Sequence, residues 1–123
     1  MTKRILVIED TEDNRQIVGD LLASAGYELI EAVDGLEGVA TAEREQPDLI
    51  LMDIQLPGID GYEATRRIRK IPALAKVPII AVTSYALSGD EAKTREAGCD
   101  GYVAKPYSPR QLLAKIREFL PSE

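Results

Sequence analysis

The sequence LILMD, residues Leu49–Asp53, joins four apolar residues to one carboxylate, and the turn-forming sequence QLPG, Gln55–Gly58, comes directly after Ile54. A short apolar run bounded by turn residues predicts a strand that is buried on both faces. Asp53 then lies where this strand leaves the core, although an unpaired buried charge is unfavourable. The carboxyl ends of parallel strands are where α/β proteins bind ligands. Asp53 is therefore either a cap for the following turn or part of a functional site.

Composition limits the possible functions of this 123-residue chain. Its 15 Lys and Arg residues against 21 Asp and Glu give a net charge of −6, which disfavours a nucleic-acid surface. Histidine is absent and Cys99 is the single cysteine, so a histidine base, a His-ligated zinc and an internal disulfide are excluded. The apolar runs are too short to cross a bilayer, and Met1–Arg4 leads directly into a strand. We expect a cytoplasmic protein with no membrane contact.

Apolar runs and turn residues alternate along the whole chain. Five short runs predict strands, at residues 4–8, 27–32, 49–53, 78–82 and 101–104. Apolar residues at helical spacing predict a helix after each strand, with Ile17 and Val18 on one face of the first helix and Leu36, Val39 and Ala40 on one face of the second. This alternation predicts an α/β fold: a five-stranded parallel sheet, doubly wound as (βα)5 in the flavodoxin-like order 2-1-3-4-5.

Polar residues end four of the predicted strands at one edge of the sheet. Glu9 and Asp10 follow the first strand, Asp53 ends the third, Thr83 follows the fourth and Lys105 follows the fifth. Each has a plainer explanation alone: a helix cap for the two acids, a strand exit for the threonine, a solvated surface position for the lysine. Together they place three carboxylates in one pocket, where they repel one another unless a cation lies among them. All the ligands are oxygens, which favours a hard cation: Mg2+, with Mn2+ and Ca2+ as alternatives.

Magnesium keeps an incomplete protein shell and binds phosphate oxygens, so the pocket is suited to a phosphoryl group. Lys105 offers a positive charge to one phosphoryl oxygen and Thr83 offers a hydroxyl to another. Asp53 lies between them as a candidate nucleophile, because carboxylates form aspartyl-phosphate intermediates. Phosphoryl transfer needs little beyond positioning and charge neutralisation, which this set supplies without a histidine.

Four segments carry a wider resemblance: Ile8–Asp10, Leu51–Gly61, Ala81–Ser84 and Ala97–Pro106. They resemble the receiver (response-regulator) domains of bacterial two-component signalling over essentially the whole chain. The resemblance implies one receiver domain, residues 1–123, with no output domain. It also implies a sensor histidine kinase or a histidine phosphotransfer protein as phosphoryl donor, and an unidentified downstream protein as target.

The resemblance implies how the acidic pocket works. Asp53 would be the phosphoacceptor and, with Asp10, would bind Mg2+ directly. Glu9 would act through water, and the backbone carbonyl of Gln55 would be a further ligand. Glu9 departs from the aspartate that is commoner in the family, which lengthens the side chain but keeps its charge.

The resemblance also implies a switch. Lys105 would bind the phosphate, with a cis bond to Pro106. Thr83 would move its hydroxyl toward the phosphate, and the ring of Tyr102 would follow it. The surface of the fourth helix, fifth strand and fifth helix would then change for a partner, as a shift between existing states. If the family is set aside, Tyr102 is equally well explained as a half-buried strand aromatic.

Three residues are candidates for docking the phosphoryl donor: Asn14 and Ile17 on the first helix, and Pro106 beside the site. Ile17 has core packing as its alternative role. Tyr85, which flanks the phosphoryl site, is predicted to shield the phosphoaspartate from water and lengthen its lifetime. We expect a monomer or a weak, phosphorylation-dependent dimer.

Two other function classes compete with the switch. Phosphatases of the haloacid-dehalogenase kind also combine Asp, Thr, Lys and magnesium, but they place a second aspartate two residues after the nucleophile. Gln55 occupies that position here. A flavodoxin-like cofactor binder needs a phosphate-binding loop after the first strand, and the acidic sequence Glu9–Glu12 would repel the phosphate of FMN.

Overall fold

The computed structural model describes residues 2–84 and 90–120. The strands are β1 (Arg4–Ile8), β2 (Glu28–Ala32), β3 (Leu49–Asp53), β4 (Ile79–Thr83) and β5 (Gly101–Ala104). The helices are α1 (Glu12–Ser24), α2 (Gly35–Glu45), α3 (Gly61–Arg69), α4 (Asp90–Ala97) and α5 (Pro109–Phe119), with a 3-10 turn at Pro72–Leu74. No helix within the described ranges has the length and apolar character needed to cross a membrane. Tyr85 lies outside the described residues.

All five strands are parallel and lie in the order β2-β1-β3-β4-β5, which confirms the predicted topology. The order reverses between β1 and β3, so this pair forms the switch point where α/β sheets bind ligands. Asp53 is beside Val82 of β4, and Thr83 is beside Ala104 of β5. The polar ends of β1, β3, β4 and β5 therefore meet at one edge.

The sheet is buried on both faces, as expected where helices cover a parallel sheet. One face packs against α2 and α3 through an apolar cluster that includes Ile8, Met52 and Ile68. The other packs against α1 and α5 through a cluster that includes Val18, Leu51 and Leu112. The second strand, β2, lies at the sheet edge, as the predicted strand order requires, and two of its five residues are exposed.

The buried faces of α1 and α2 differ from the prediction. Ile17 does not join the core, because its side chain is 66% exposed. In α2 the predicted apolar face is only partly correct: Val39 is half-buried and packs against the core, but Leu36 is 58% exposed and Ala40 is also exposed. The buried positions of α2 are small residues instead, namely Gly35, Gly38, Thr41 and Ala42.

Gly38 explains why small residues line the inner face of α2. A Cβ atom at this position would lie 2.5 Å from Cδ1 of Ile8, which is closer than atoms can approach. The helix thus packs directly on the end of β1, one residue before Glu9. Close helix–strand contact, rather than bulky side chains, fills the space here.

Arg69, at the end of α3, connects several segments near the N-terminal ends of β4 and β5, opposite the acidic pocket. Its guanidinium donates to the carbonyls of Gly98 at 2.9 Å, Leu74 at 3.1 Å and Val77 at 2.6 Å. It also donates to Oδ2 of Asp100 at 2.7 Å. One side chain therefore joins the ends of α3 and α4 to the segments that enter β4 and β5.

Candidate functional site

Three carboxylates meet at the ends of β1 and β3. Glu9 and Asp10 follow β1, and Asp53 is the last residue of β3, so strand adjacency brings them together. One carboxylate oxygen from each lies within 4.8 Å of the others. Glu9 and Asp53 are buried, with exposures of 6% and 4%, whereas Asp10 is exposed. The three side chains therefore lie together in one pocket, as the sequence predicted.

Lys105 reaches the same pocket from the end of β5. Its backbone amide donates to the carbonyl of Thr83 at 2.7 Å, and the bond to Pro106 is cis. Its Nζ lies 3.4 Å from Oε1 of Glu9 and 3.5 Å from Oδ2 of Asp53. When all three carboxylates are ionised, the one ammonium group leaves a local charge of −2. A divalent cation would balance that charge.

The turn that follows β3 fixes the orientation of the Asp53 carboxylate. Oδ1 accepts a hydrogen bond from the backbone amide of Gln55 at 3.0 Å, which fixes the plane of the carboxylate. Burial and the nearby charge of Glu9 raise the pKa of Asp53 to about 6, against the opposing effects of Gln55 and Lys105. The charge of Lys105 therefore does not outweigh the burial of this carboxylate and its repulsion by Glu9.

Glu9 is bound on both sides of its carboxyl group. The amide of Thr11 donates to Oε2 at 3.0 Å, and Nδ2 of Asn14 donates to Oε1 at 3.3 Å. Burial alone would raise the pKa of Glu9, but the Thr11 amide, a hydrogen bond with Asp10 and the charge of Lys105 lower it. Glu9 therefore holds its negative charge more firmly than Asp53 does.

Neighbouring carboxylates also shift the pKa values of Asp10 and Lys105. The hydrogen bond with Glu9, helped by partial burial, raises the pKa of Asp10. Burial would lower the pKa of Lys105, but the charges of Asp53 and Glu9 raise it overall. At neutral pH Lys105 therefore stays positively charged beside the acidic pocket.

The backbone of Glu9 is also fixed, by a residue that the sequence did not identify. Nη1 of Arg15 donates to the carbonyl of Glu9 at 2.7 Å, and Nε lies 3.5 Å from Oε1 of Glu31 in β2. The amide of Glu9 donates to the carbonyl of Ala32 at 3.1 Å. A basic residue one turn after an acidic strand end is too common a pattern to have predicted this contact.

Thr83 and Tyr102 occupy neighbouring strands on the far side of the pocket. Thr83 is fully buried at the end of β4. Tyr102 is half-buried in β5 and packs against the cluster on the α2 and α3 face. This position suits both the switch and the plain strand aromatic, so the switch role stays a prediction.

Tyr107 is a second residue that the sequence did not identify. It lines a small cavity of about 20 Å³, whose walls also include Glu9, Asp53, Val18 and Val82. A cavity of this size can hold one water molecule. Burial, more than the neighbouring charges, raises the pKa of the Tyr107 hydroxyl.

The candidate docking residues are all accessible. Asn14 and Ile17 are exposed on α1, and Pro106 is exposed next to Lys105. Asn14 also contacts Glu9, which the sequence did not suggest. Their role in docking stays a prediction.

The chain is similar to known proteins over nearly its whole length. The response regulator receiver domain family matches residues 5–117. The polar-differentiation response regulator DivK of Brucella ovis is 42% identical over 120 residues, covering 98% of each chain.

Two solved structures extend the comparison. The receiver domain of the sensor histidine kinase PA1611 from Pseudomonas aeruginosa, which has a magnesium ion in its active-site cleft, is 39% identical. Its TM-score is 0.91, and the alignment covers 99% of this chain and all of that one. The chemotaxis protein CheY4 of Vibrio cholerae is 28% identical, with a TM-score of 0.92 over 97% of this chain and 99% of that one.

Proposed function

Because this chain belongs to the response regulator receiver domain family, which serves as signalling switches in two-component systems, we propose that it is a switch controlled by phosphorylation of Asp53. The observation that carries the proposal is the position of Asp53. Its carboxylate is buried at the end of β3, is oriented by the amide of Gln55, and faces Lys105 across the pocket.

We further propose that Mg2+ binds among Glu9, Asp10 and Asp53. The donor set is all oxygen, the local charge of −2 suits a divalent ion, and burial together with the charge of Glu9 raises the pKa of Asp53, so a cation beside it would stabilise its ionised form. The magnesium ion in the cleft of the PA1611 receiver domain supports the same choice. Bound Mg2+ would neutralise the charge that develops on the transferring phosphoryl group. Asp10 and Asp53 would be direct ligands, Glu9 a ligand through water, and the carbonyl of Gln55 a further ligand.

The phosphoryl donor that we propose is a phosphohistidine on a sensor kinase or a phosphotransfer protein. A carboxylate oxygen of Asp53 attacks the phosphorus, the O–P bond forms as the N–P bond breaks, and the histidine nitrogen leaves and takes up a proton. Lys105 turns toward a phosphoryl oxygen, since its Nζ already lies beside Asp53. The hydroxyl of Thr83 donates to another oxygen. Asn14, Ile17 and Pro106 are the proposed docking contacts for the donor.

The output that we propose is a change around β5. Movement of Thr83 toward the phosphate leaves space that the ring of Tyr102 can occupy. Tyr102 and Pro106 border a groove of about 530 Å³ between β5 and α5, which gives a downstream protein a surface to read. We propose that the protein acts in the cytoplasm, where sensor kinases present their phosphohistidine.

The receiver family favours this switch over the haloacid-dehalogenase type of phosphatase. The residue two positions after Asp53 is Gln55, an exposed amide whose backbone serves the Asp53 carboxylate. An amide side chain cannot act as the general acid–base that such a phosphatase requires.

Intact mass measurement tests the proposal. We expect wild-type protein to gain one phosphoryl group when incubated with acetyl phosphate and Mg2+, and to gain none without Mg2+. Asp53→Ala should gain none, whereas Asp20→Ala, at an exposed position of α1, should behave as the wild type does. An adduct that persists in Asp53→Ala would assign the modification elsewhere and refute the proposal.

A further inference from the structure

Glu9 and Asp53 compete for one ammonium group. Nζ of Lys105 lies 3.4 Å from Oε1 of Glu9 and 3.5 Å from Oδ2 of Asp53, so neither carboxylate holds it alone. The proposed function requires Lys105 to turn toward a phosphoryl oxygen on Asp53. Lys105 must then withdraw from Glu9, whose side chain is only 8% exposed. Leaving a buried carboxylate without a donor is unfavourable.

Asn14 is the side chain that can replace Lys105 at Glu9. Its Nδ2 lies 3.3 Å from the same oxygen, Oε1, that Lys105 contacts. The other oxygen, Oε2, is already occupied by the amide of Thr11 at 3.0 Å, and Arg15 fixes the backbone of Glu9. When Lys105 leaves, Oε1 therefore keeps one donor without any movement of β1 or α1.

We propose that Asn14 is a positioning residue for phosphoryl binding: it holds Oε1 of Glu9 and so allows Lys105 to be released to the phosphoryl group. Without Asn14, Lys105 would be the remaining side-chain donor to Oε1 among the contacts described here and would be retained there. The proposal rests on the proposed function and deepens it, since it assigns to α1 a part in the phosphoryl-binding step.

The sequence makes this proposal directly observable. Asn14 is the only asparagine in the chain, so protein labelled with 15N-asparagine gives one side-chain NH2 signal, a proton pair at a single nitrogen shift. With beryllium fluoride and Mg2+ as the phosphoryl mimic, we expect this signal to shift from its position with Mg2+ alone, as the amide becomes the stronger donor to Glu9. An unchanged signal on wild-type protein that has bound beryllium fluoride would overturn the proposal.

A matched pair of variants provides the second measurement. Asn14→Ala should weaken beryllium fluoride binding at saturating Mg2+ about fivefold, the effect of one hydrogen bond. Gln16→Ala removes a similar amide from an exposed position of α1 and should bind as the wild type does. Equal binding by Asn14→Ala and the wild type would also overturn the proposal. If the wild type itself fails to bind beryllium fluoride with Mg2+, the proposed function fails instead, so the two failures are distinguishable.

Discussion

Nζ of Lys105 lies 3.5 Å from Oδ2 of Asp53, yet this contact does not offset the burial of the carboxylate. The pKa of Asp53 is raised to about 6, first by burial and then by the charge of Glu9. A lysine shared between two buried acids is therefore insufficient to offset the burial of Asp53. The pocket therefore carries an excess of negative charge, and this imbalance has measurable consequences.

The first is a pH dependence of stability without metal. The folded state keeps the Asp53 proton up to about pH 6, whereas the unfolded chain releases it near 3.8, so the free energy of unfolding falls as the pH rises between these values. The loss due to this group is at most about 3 kcal/mol. Asp53→Asn should remove it, so the variant's advantage over the wild type should grow from pH 4 to pH 7 in urea unfolding with EDTA. An advantage that does not change with pH would contradict this origin.

The second prediction concerns magnesium. Added Mg2+ should raise the unfolding temperature of the wild type, because it binds the folded pocket and relieves the carboxylate repulsion. At a hundredfold excess over its dissociation constant the gain would be about 2.7 kcal/mol. Asp10→Ala should lose most of the gain, whereas Asp20→Ala should keep it. The measurement is thermal unfolding at constant ionic strength, with EDTA reversal. Equal gains in the two variants would place the ion outside the acidic pocket.

Thr83 provides a test of the proposed switch. Thr83→Ala should still gain a phosphoryl group on Asp53, because the nucleophile and Lys105 are intact. It should no longer pass the change to Tyr102, because the hydroxyl that we propose to move toward the phosphate is gone. Fluorotyrosine labelling measures this: the Tyr102 signal, assigned with Tyr102→Phe, should shift with beryllium fluoride in the wild type and stay fixed in Thr83→Ala. A normal shift in Thr83→Ala would refute the coupling.

Cys99 should be unreactive in the folded protein. It is 6% exposed, and burial raises the pKa of its thiol, although a contact with the Thr65 hydroxyl partly opposes this. The thiolate is the reactive form, so modification by a disulfide reagent should follow global unfolding. Ser24→Cys, at an exposed position of α1, supplies the control and should react at the rate of a free thiol. Rapid labelling of the wild type in buffer would contradict the burial of Cys99.

Gly38 tests the close packing of α2 on β1. Gly38→Ala should destabilise the protein by about 1–3 kcal/mol, because overpacking outweighs the better helix propensity of alanine. The atom that the new Cβ would meet at 2.5 Å is Cδ1 of Ile8, and Ile8→Val removes that atom. The double variant should therefore lose less stability than the sum of the two single variants, as measured by urea unfolding. Simple additivity would mean that the two positions do not conflict.

The sequence predicted the strands and the sheet order well, because buried parallel strands are written as uninterrupted apolar runs. The ends of the runs then located Glu9, Asp53 and Lys105 at one edge without further information. The order of strands follows from topology rules, which leave few choices for five alternating elements. The apolar runs and their ends therefore allowed both the fold and the candidate site to be predicted.

The buried faces of α1 and α2 were harder to predict from the sequence. Ile17 is apolar and correctly spaced, yet it is exposed, because α1 needs only the narrow face around Val18 and Leu22 to cover the sheet. In α2 the buried face is marked by Gly35 and Gly38, and small residues carry no apolar periodicity. The contacts of Asn14 and Arg15 with Glu9 depend on side-chain reach across a loop, which no spacing rule encodes.

The Arg69 contacts at the opposite edge of the sheet have a mechanical consequence. Gly98 and Asp100 are held by one guanidinium, so the C-terminal end of α4 is pinned to α3 and to the entries of β4 and β5. A displacement that begins at Thr83 therefore meets a helix with one fixed end. We expect α4 to pivot about the Arg69 contacts, with the largest displacement at its N-terminal end.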